Sequence, residues 1–218
     1  MIDKIPLDKK ALLEHLNGMN YSERAKTMAL LGRDYNDNEE FKRLLTDLIS
    51  IESTITSKNN YDEYKGNLAL TAARAGKNND IILKGLEHNS ARIRYKSASI
   101  LGEIGNVQDI EKVIKNISCE CRRRIIKKIA VCNRINVAEK ILPLIHEKYG
   151  DKEAVTLLNG CSYETVKKYL NDIGYAVVNW KVLASRNTNA VEEYFEDQLN
   201  NSNDNQRIYV WNRFSSAL

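Results

Sequence analysis

A pattern of small and apolar residues recurs along this chain every 28 or 29 positions. Its clearest copy runs from Ile93 to Ile114, and looser copies lie within 64–81 and within 121–145. A fixed period of this length is typical of stacked supersecondary units, each too small to bury its own apolar face. The period therefore predicts a repeat architecture before any single residue is interpreted.

Composition and spacing indicate that the repeating unit is helical. The chain has only two prolines among 218 residues, and apolar residues recur at the i, i+3, i+4, i+7 spacing of amphipathic helices. Turns of two to five residues separate these stripes, and asparagines cluster at the expected helix ends. We predict an all-α protein of about seven antiparallel helix pairs, with 175–178 also read as helix rather than strand.

One solenoid domain, 1–218, is the predicted organisation. It consists of N-terminal helices in 1–53, the clearest repeats in 61–148 and diverged repeats in 150–218, which further repeats could continue. Small residues in the repeats are expected to let adjacent helices approach closely.

The segment from Ser90 to Asn106 resembles a HEAT repeat, and more narrowly the short subtype found in phycobilin-lyase-like proteins. The pair Ile93-Arg94 opens the second helix and Leu101-Gly102 closes it, while 61–88 and 121–148 match loosely. The resemblance implies a right-handed superhelical stack whose second helices line a concave binding surface. It also implies a scaffold or adaptor rather than an enzyme.

Three basic residues share one position of the repeat register: Lys65, Arg94 and Arg122. The resemblance implies that they reach across to the neighbouring repeat.

Positive charge is concentrated in 92–134, which holds eleven basic and four acidic residues. Helical spacing turns several of these residues away from the apolar stripes and predicts that they share one concave face. We name this set the basic strip. It comprises Arg92, Tyr95, Lys96, Arg123, Arg124, Lys127 and Lys128. A solvated charged face is the plain alternative.

The basic strip suits an acidic segment of a protein partner, which is our first interpretation, or a nucleic-acid backbone, which is the second. A DNA glycosylase built from HEAT-like repeats is the enzymatic alternative, and it would need an aromatic-lined cleft with a carboxylate. The candidates for that cleft are Tyr175, Trp180 and Trp211 with Asp172 or Glu192. Packing of the tryptophans on apolar stripes is the simpler interpretation.

The end of the sequence carries an apolar helical stripe of Trp211, Phe214 and Leu218. Such a stripe predicts an interface covered by a partner, by a second copy or by further repeats.

No recognisable catalytic or cofactor motif is present. The four cysteines lack C-x-x-C spacing, and Cys121, Cys132 and Cys161 fall at or near apolar helix positions, so we expect buried free thiols and no metal site. We expect no catalytic residues and no cofactor. The absence of a signal-like start or a long apolar run predicts a soluble protein of the cytoplasm or nucleus, without membrane contact.

Overall fold

The computed structural model describes residues 7–50, 59–172, 183–185 and 188–217, and all regular structure in these ranges is helical. The all-α prediction is therefore confirmed for the described residues, while the predicted helix at 175–178 lies outside them. Thirteen helices have bounds in these ranges: α1 Lys9–Asn17, α2 Tyr21–Asp34, α3 Glu39–Ile49, α4 Asn59–Gly76, α5 Asn79–Leu86, α6 Ala91–Ile104, α7 Val107–Ile114, α8 Cys119–Val131, α9 Ile135–Tyr149, α10 Asp151–Leu158, α11 Tyr163–Asp172, α12 Thr188–Asn200 and α13 Asp204–Ala217.

The chain divides into two compact units, Met1–Ile125 and Ile126–Leu218, and the boundary falls within α8. Each unit is described by itself below. The single-domain solenoid stays a prediction.

Asparagine side chains begin many of the helices, as the sequence suggests. Asn20, Asn38, Asn78 and Asn106 each occupy an N-cap position and accept a hydrogen bond from a backbone N–H in the first turn. These bonds satisfy donors that a helix leaves without an intrahelical partner. The caps explain why helices start at these positions although the chain has few prolines.

Helix α4 is the centre of the first unit and contacts α2, α3, α5 and α6. Its contact with α2 depends on small residues. A Cβ added to Gly32 would lie 2.1 Å from the carbonyl oxygen of Ala72, and one added to Gly76 would lie 2.2 Å from that of Gly32. The two backbones touch directly there.

Helices α4 and α6 are one repeat apart in sequence, and side chains about one period apart join them. Lys96 Nζ donates to Asn67 Oδ1 at 2.9 Å, and Arg74 Nε donates to Glu103 Oε1 at 3.1 Å. Both pairs are separated by 29 residues. The period in the sequence thus corresponds, for this pair of helices, to a lateral contact between them.

The core of the first unit follows the predicted stripes. Ile93 and Leu101 of α6 and Ile110 of α7 are fully buried. Ser90 occupies the N-cap position of α6, but its hydroxyl donates to Glu63 Oε1 at 2.7 Å instead of capping the helix.

In the second unit, α9 packs against α10, α11 against α12, and α12 against α13. Ile141 and Ile145 of α9, Leu157 of α10 and Phe195 of α12 are fully buried. Glu139 accepts hydrogen bonds from the backbone N–H and the hydroxyl of Ser162, and these bonds hold the start of α11 against α9. They lower the pKa of the Glu139 carboxyl.

The prediction of buried thiols is wrong for Cys132, which is exposed because α8 ends one residue before it. Cys121 and Cys161 are buried, as predicted. Burial, with the nearby charge of Glu139, raises the pKa of Cys161 to about 12.

Within the described ranges, each helix falls short of the length or apolar character that crossing a membrane requires.

Candidate partner-binding surface

Three residues of the basic strip lie on α6, and two of them contact α4. Arg92 is exposed, and its guanidinium lies 3.5 Å from the carboxylate of Glu63. Lys96 is half-buried, and its ammonium donates to Asn67. Burial, followed by the charge of Arg74, lowers the pKa of Lys96. Lys96 is therefore held between two helices instead of standing free on a solvated face.

Tyr95 is the third strip residue on α6, and it contacts α8. The guanidinium carbon of Arg124 lies 4.4 Å from the centroid of the Tyr95 ring, which is the geometry of a cation–π contact. Arg123 and Arg124 are both exposed. The first unit thus brings Tyr95 and Arg124 together.

The last two strip residues belong to the second unit. On α8, Lys127 is exposed and Lys128 is half-buried. That helix carries five basic residues and one acidic residue, Glu120, so it has the strongest positive charge of the strip.

The repeat-register cation Arg94 contacts its own repeat. Its Nη1 donates to the carbonyl oxygens of His88 and Asn89, at 2.7 and 2.6 Å. Arg94 therefore ties the start of α6 to the turn before it. Lys65, in the same register position, forms an ion pair within its own helix, 3.0 Å from Asp62. These contacts lie within one repeat, whereas the resemblance implies that both residues reach across to the neighbouring repeat.

Sequence reasoning missed a group of buried ionisable residues near the start of α4. Lys65 is 0 % exposed, Asp62 is 4 % exposed and His88 is 3 % exposed. A charge is rarely buried so completely unless a partner compensates it. The burial of Lys65 could have been predicted from its position in the sequence. It lies on an apolar stripe, four residues before Ala69 and seven before Ala72.

The imidazole of His88 has one defined partner. Its Nδ1 accepts the backbone N–H of Ser90 at 3.0 Å, so the neutral ring carries its proton on Nε2. Nε2 is buried and has no hydrogen-bond partner among the described residues. Burial is the main reason that the pKa of His88 lies below its ordinary value, although Asp62 and Glu63 act in the opposite direction.

The C-terminal apolar stripe is described only in part. Trp211 is 56 % exposed, and Ile208, one turn earlier on α13, is 65 % exposed. The side chain of Phe214 and all of Leu218 lie outside the described residues. Ile208 and Trp211 are thus two apolar side chains that are exposed one turn apart on α13.

The residues nominated for a glycosylase cleft are described only in part. Tyr175, Trp180 and the side chain of Asp172 lie outside the described residues. Glu192 is half-buried on α12, and Trp211 is exposed on α13.

The described part of the chain is thus an all-helical protein with a basic and aromatic contact between α6 and α8. Neither a family model nor a curated protein nor a solved structure matches the chain.

Proposed function

We propose that this chain is a HEAT-like α-solenoid of about seven helix pairs that acts as a non-catalytic scaffold in the cytoplasm or nucleus. Its partner is a protein, bound through an acidic segment on the face that carries Arg92, Tyr95, Arg123 and Arg124. The right-handed superhelix and the concave position of that face belong to this proposal.

The lateral contact of α4 with α6 supports the repeat architecture. The bonds Lys96–Asn67 and Arg74–Glu103 join residues one period apart. A helix pair that repeats with this spacing and packs on its neighbour builds a stack.

The contact between Arg124 and Tyr95 carries the choice of a protein partner. Arginine and tyrosine are enriched among the residues that dominate protein–protein binding energy. A tyrosine ring that already orients an exposed guanidinium also reduces the entropy lost when that guanidinium binds a carboxylate.

Charge compensation around α6 also favours protein over nucleic acid. Glu63 compensates the charge of Arg92, and Lys96 is half-buried against the neutral amide of Asn67, so this part of the strip offers fewer accessible cations to a phosphate backbone than its sequence suggests. Nucleic-acid binding depends on many such cations acting together.

Binding of nucleic acid remains the second candidate because α8 keeps several cations at its surface. Arg123, Arg124 and Lys127 are all exposed. If they contact phosphates, affinity falls steeply with salt, and each neutralised contact reduces the log–log slope by about one.

The experiment compares the protein with a variant in which Arg123 and Arg124 are changed to glutamate. Nuclease-treated lysate is passed over each immobilised protein, and fluorescent duplex and single-stranded oligonucleotides are titrated at two salt concentrations. We expect a bound protein that the variant loses, and no salt-sensitive oligonucleotide binding.

The matched control changes Lys26 and Lys112 to glutamate, because both are exposed and lie outside the strip. It alters the net charge equally and should retain the partner. Oligonucleotide binding that disappears only in the Arg123/Arg124 variant would contradict the protein-first assignment. Equal loss of the partner in variant and control would refute the assigned face.

A further inference from the structure

A cavity of about 390 Å³ lies in the first unit, at the connections of two consecutive helix pairs. It is lined by the last turns of α5 and α7, by the first turns of α6 and α8, and by residues of the two connections. Its apolar lining consists of the half-buried Leu83, Leu86, Val113 and Ile117 and the buried Cys121. A cavity of this size with apolar walls and a few polar groups is typical of a small-molecule site.

Arg94 is a polar residue of this cavity that the fold already holds in place. Its Nη1 atom donates to the carbonyl oxygens of His88 and Asn89, at 2.7 and 2.6 Å. A guanidinium group has five N–H donors, of which Nη1 carries two. Both donors of Nη1 are therefore used, and they fix the side chain against the turn before α6. A ligand that binds the rest of the group consequently loses little side-chain entropy.

The other edge of the Arg94 guanidinium has no acceptor among the described residues. That edge consists of Nε and Nη2, and its two parallel N–H bonds match the two oxygens of a carboxylate. Arg94 is half-buried and lines the cavity, so a ligand in the cavity can reach this edge. The geometry therefore suits bidentate binding of a carboxylate.

The charges around the cavity indicate a ligand with one negative charge. Lys112 is exposed at the cavity wall, and Glu87 is the acidic residue among the described lining. Neither Arg94 nor Lys112 forms an ion pair with a described carboxylate. Two cations and one carboxylate leave one positive charge, which a monoanion neutralises.

We propose that this cavity binds a small amphipathic monocarboxylate of the medium-chain fatty acid type. The carboxylate binds the Nε–Nη2 edge of Arg94 near the ammonium of Lys112, and the apolar chain packs against the aliphatic lining. A phosphate monoester carries about two negative charges at pH 7 and matches the single excess charge less well. The inference does not depend on the scaffold proposal, because no lining residue belongs to the basic strip.

Isothermal titration calorimetry of the full chain at pH 7, with octanoate as the probe, tests the class of ligand. We expect saturable binding with a dissociation constant of about 1 mM or lower. Octanamide has the same chain without the charge, and acetate has the charge without the chain, so each should bind at least about tenfold more weakly. Absence of saturable octanoate binding would overturn the proposal, and so would equal affinity for either control ligand. Tighter binding of octyl phosphate would overturn the assignment to a carboxylate.

Two variants test whether octanoate binds in this cavity. Arg94→Lys keeps the positive charge but loses the parallel pair of donors, so octanoate should bind roughly tenfold more weakly. Lys112→Glu reverses an exposed charge on α7, away from the turn that Arg94 holds, and should weaken binding roughly fivefold. Lys26→Glu is the matched control, because Lys26 is exposed, lies on α2 and does not line the cavity.

Circular dichroism verifies that each variant remains folded. If Arg94→Lys does not, the comparison of Lys112→Glu with Lys26→Glu decides the question by itself. Equal octanoate affinity of these two charge-reversed variants would overturn the proposal. A folded Arg94→Lys protein with unchanged affinity would overturn it as well.

Discussion

At the scale of single residues, the burial of a side chain often differs from what its residue type alone suggests. Lys96 and Lys65 are both lysines, yet the first is half-buried against Asn67 and the second is completely buried beside Asp62. Leu101, by contrast, is buried as its stripe predicts.

Leu101→Ala should lower the free energy of unfolding by about 2–5 kcal/mol, because it leaves a cavity where a fully buried side chain packs. Arg92→Ala is the control and should change it by less than about 0.5 kcal/mol, since the Arg92 side chain is 81 % exposed. Urea unfolding of the three proteins measures both effects. Equal midpoints for the two variants would mean that the faces of α6 are assigned wrongly.

His88 should make the protein less stable in mild acid. Its pKa in the folded protein lies below 6.5, so the unfolded chain binds more protons as the pH falls. The stability from neutral His88 is complete above about pH 6.5 and is lost as the pH falls through the lower folded value. Protonation at Nδ1 also removes the acceptor of the Ser90 N–H bond.

Unfolding free energies at pH 7.5 and pH 5.5 give the measurement, with His88→Asn as the comparison. The Oδ1 atom of asparagine can replace Nδ1 as the acceptor for the Ser90 N–H but does not titrate, so the variant should lose less stability between the two pH values. The same loss in both proteins would assign the pH dependence to other groups.

At the scale of helices, the backbones of α2 and α4 lie in direct contact. Gly32 and Ala72 meet with no room for a larger side chain. The Asn caps set where helices begin, and these small residues set how closely they approach.

Gly32→Ala should destabilise the protein by about 1–3 kcal/mol, because the new methyl group would lie 2.1 Å from a backbone oxygen and the helices would have to separate. Gly18→Ala is the matched control. A Cβ there has nothing within 4 Å, so the change should be neutral or stabilise by up to about 1 kcal/mol. Thermal unfolding followed by circular dichroism compares them. Similar transition temperatures for the two variants would contradict the close helix contact.

At the scale of the whole molecule, the exposed apolar residues of α13 predict association with a second copy. Ile208 and Trp211 lie one turn apart and are both more than half exposed. Apolar surface of this kind is commonly covered in an assembly.

Sedimentation velocity over a range of concentrations should reveal a larger species that Ile208→Lys removes. Tyr21→Lys is the control, since Tyr21 is 84 % exposed but lies on α2, and it should leave the association unchanged. A single monomer boundary at every concentration would refute the prediction.

The sequence by itself determined the helices of the described residues and the direction of their apolar faces. Helical periodicity and capping are local, because they depend on residues three or four positions apart, and so Asn78, Ile93 and Leu101 could be placed from their neighbours. The 29-residue period also anticipated the contact of α4 with α6.

Only the tertiary structure decided which polar residues meet. Lys84 and Thr46 are 38 positions apart, and no local pattern predicts that the Lys84 ammonium donates a hydrogen bond to the Thr46 hydroxyl. The same holds for His88 beside Asp62. Protonation and reactivity depend on burial and on neighbouring charges, and packing between distant helices sets both of these.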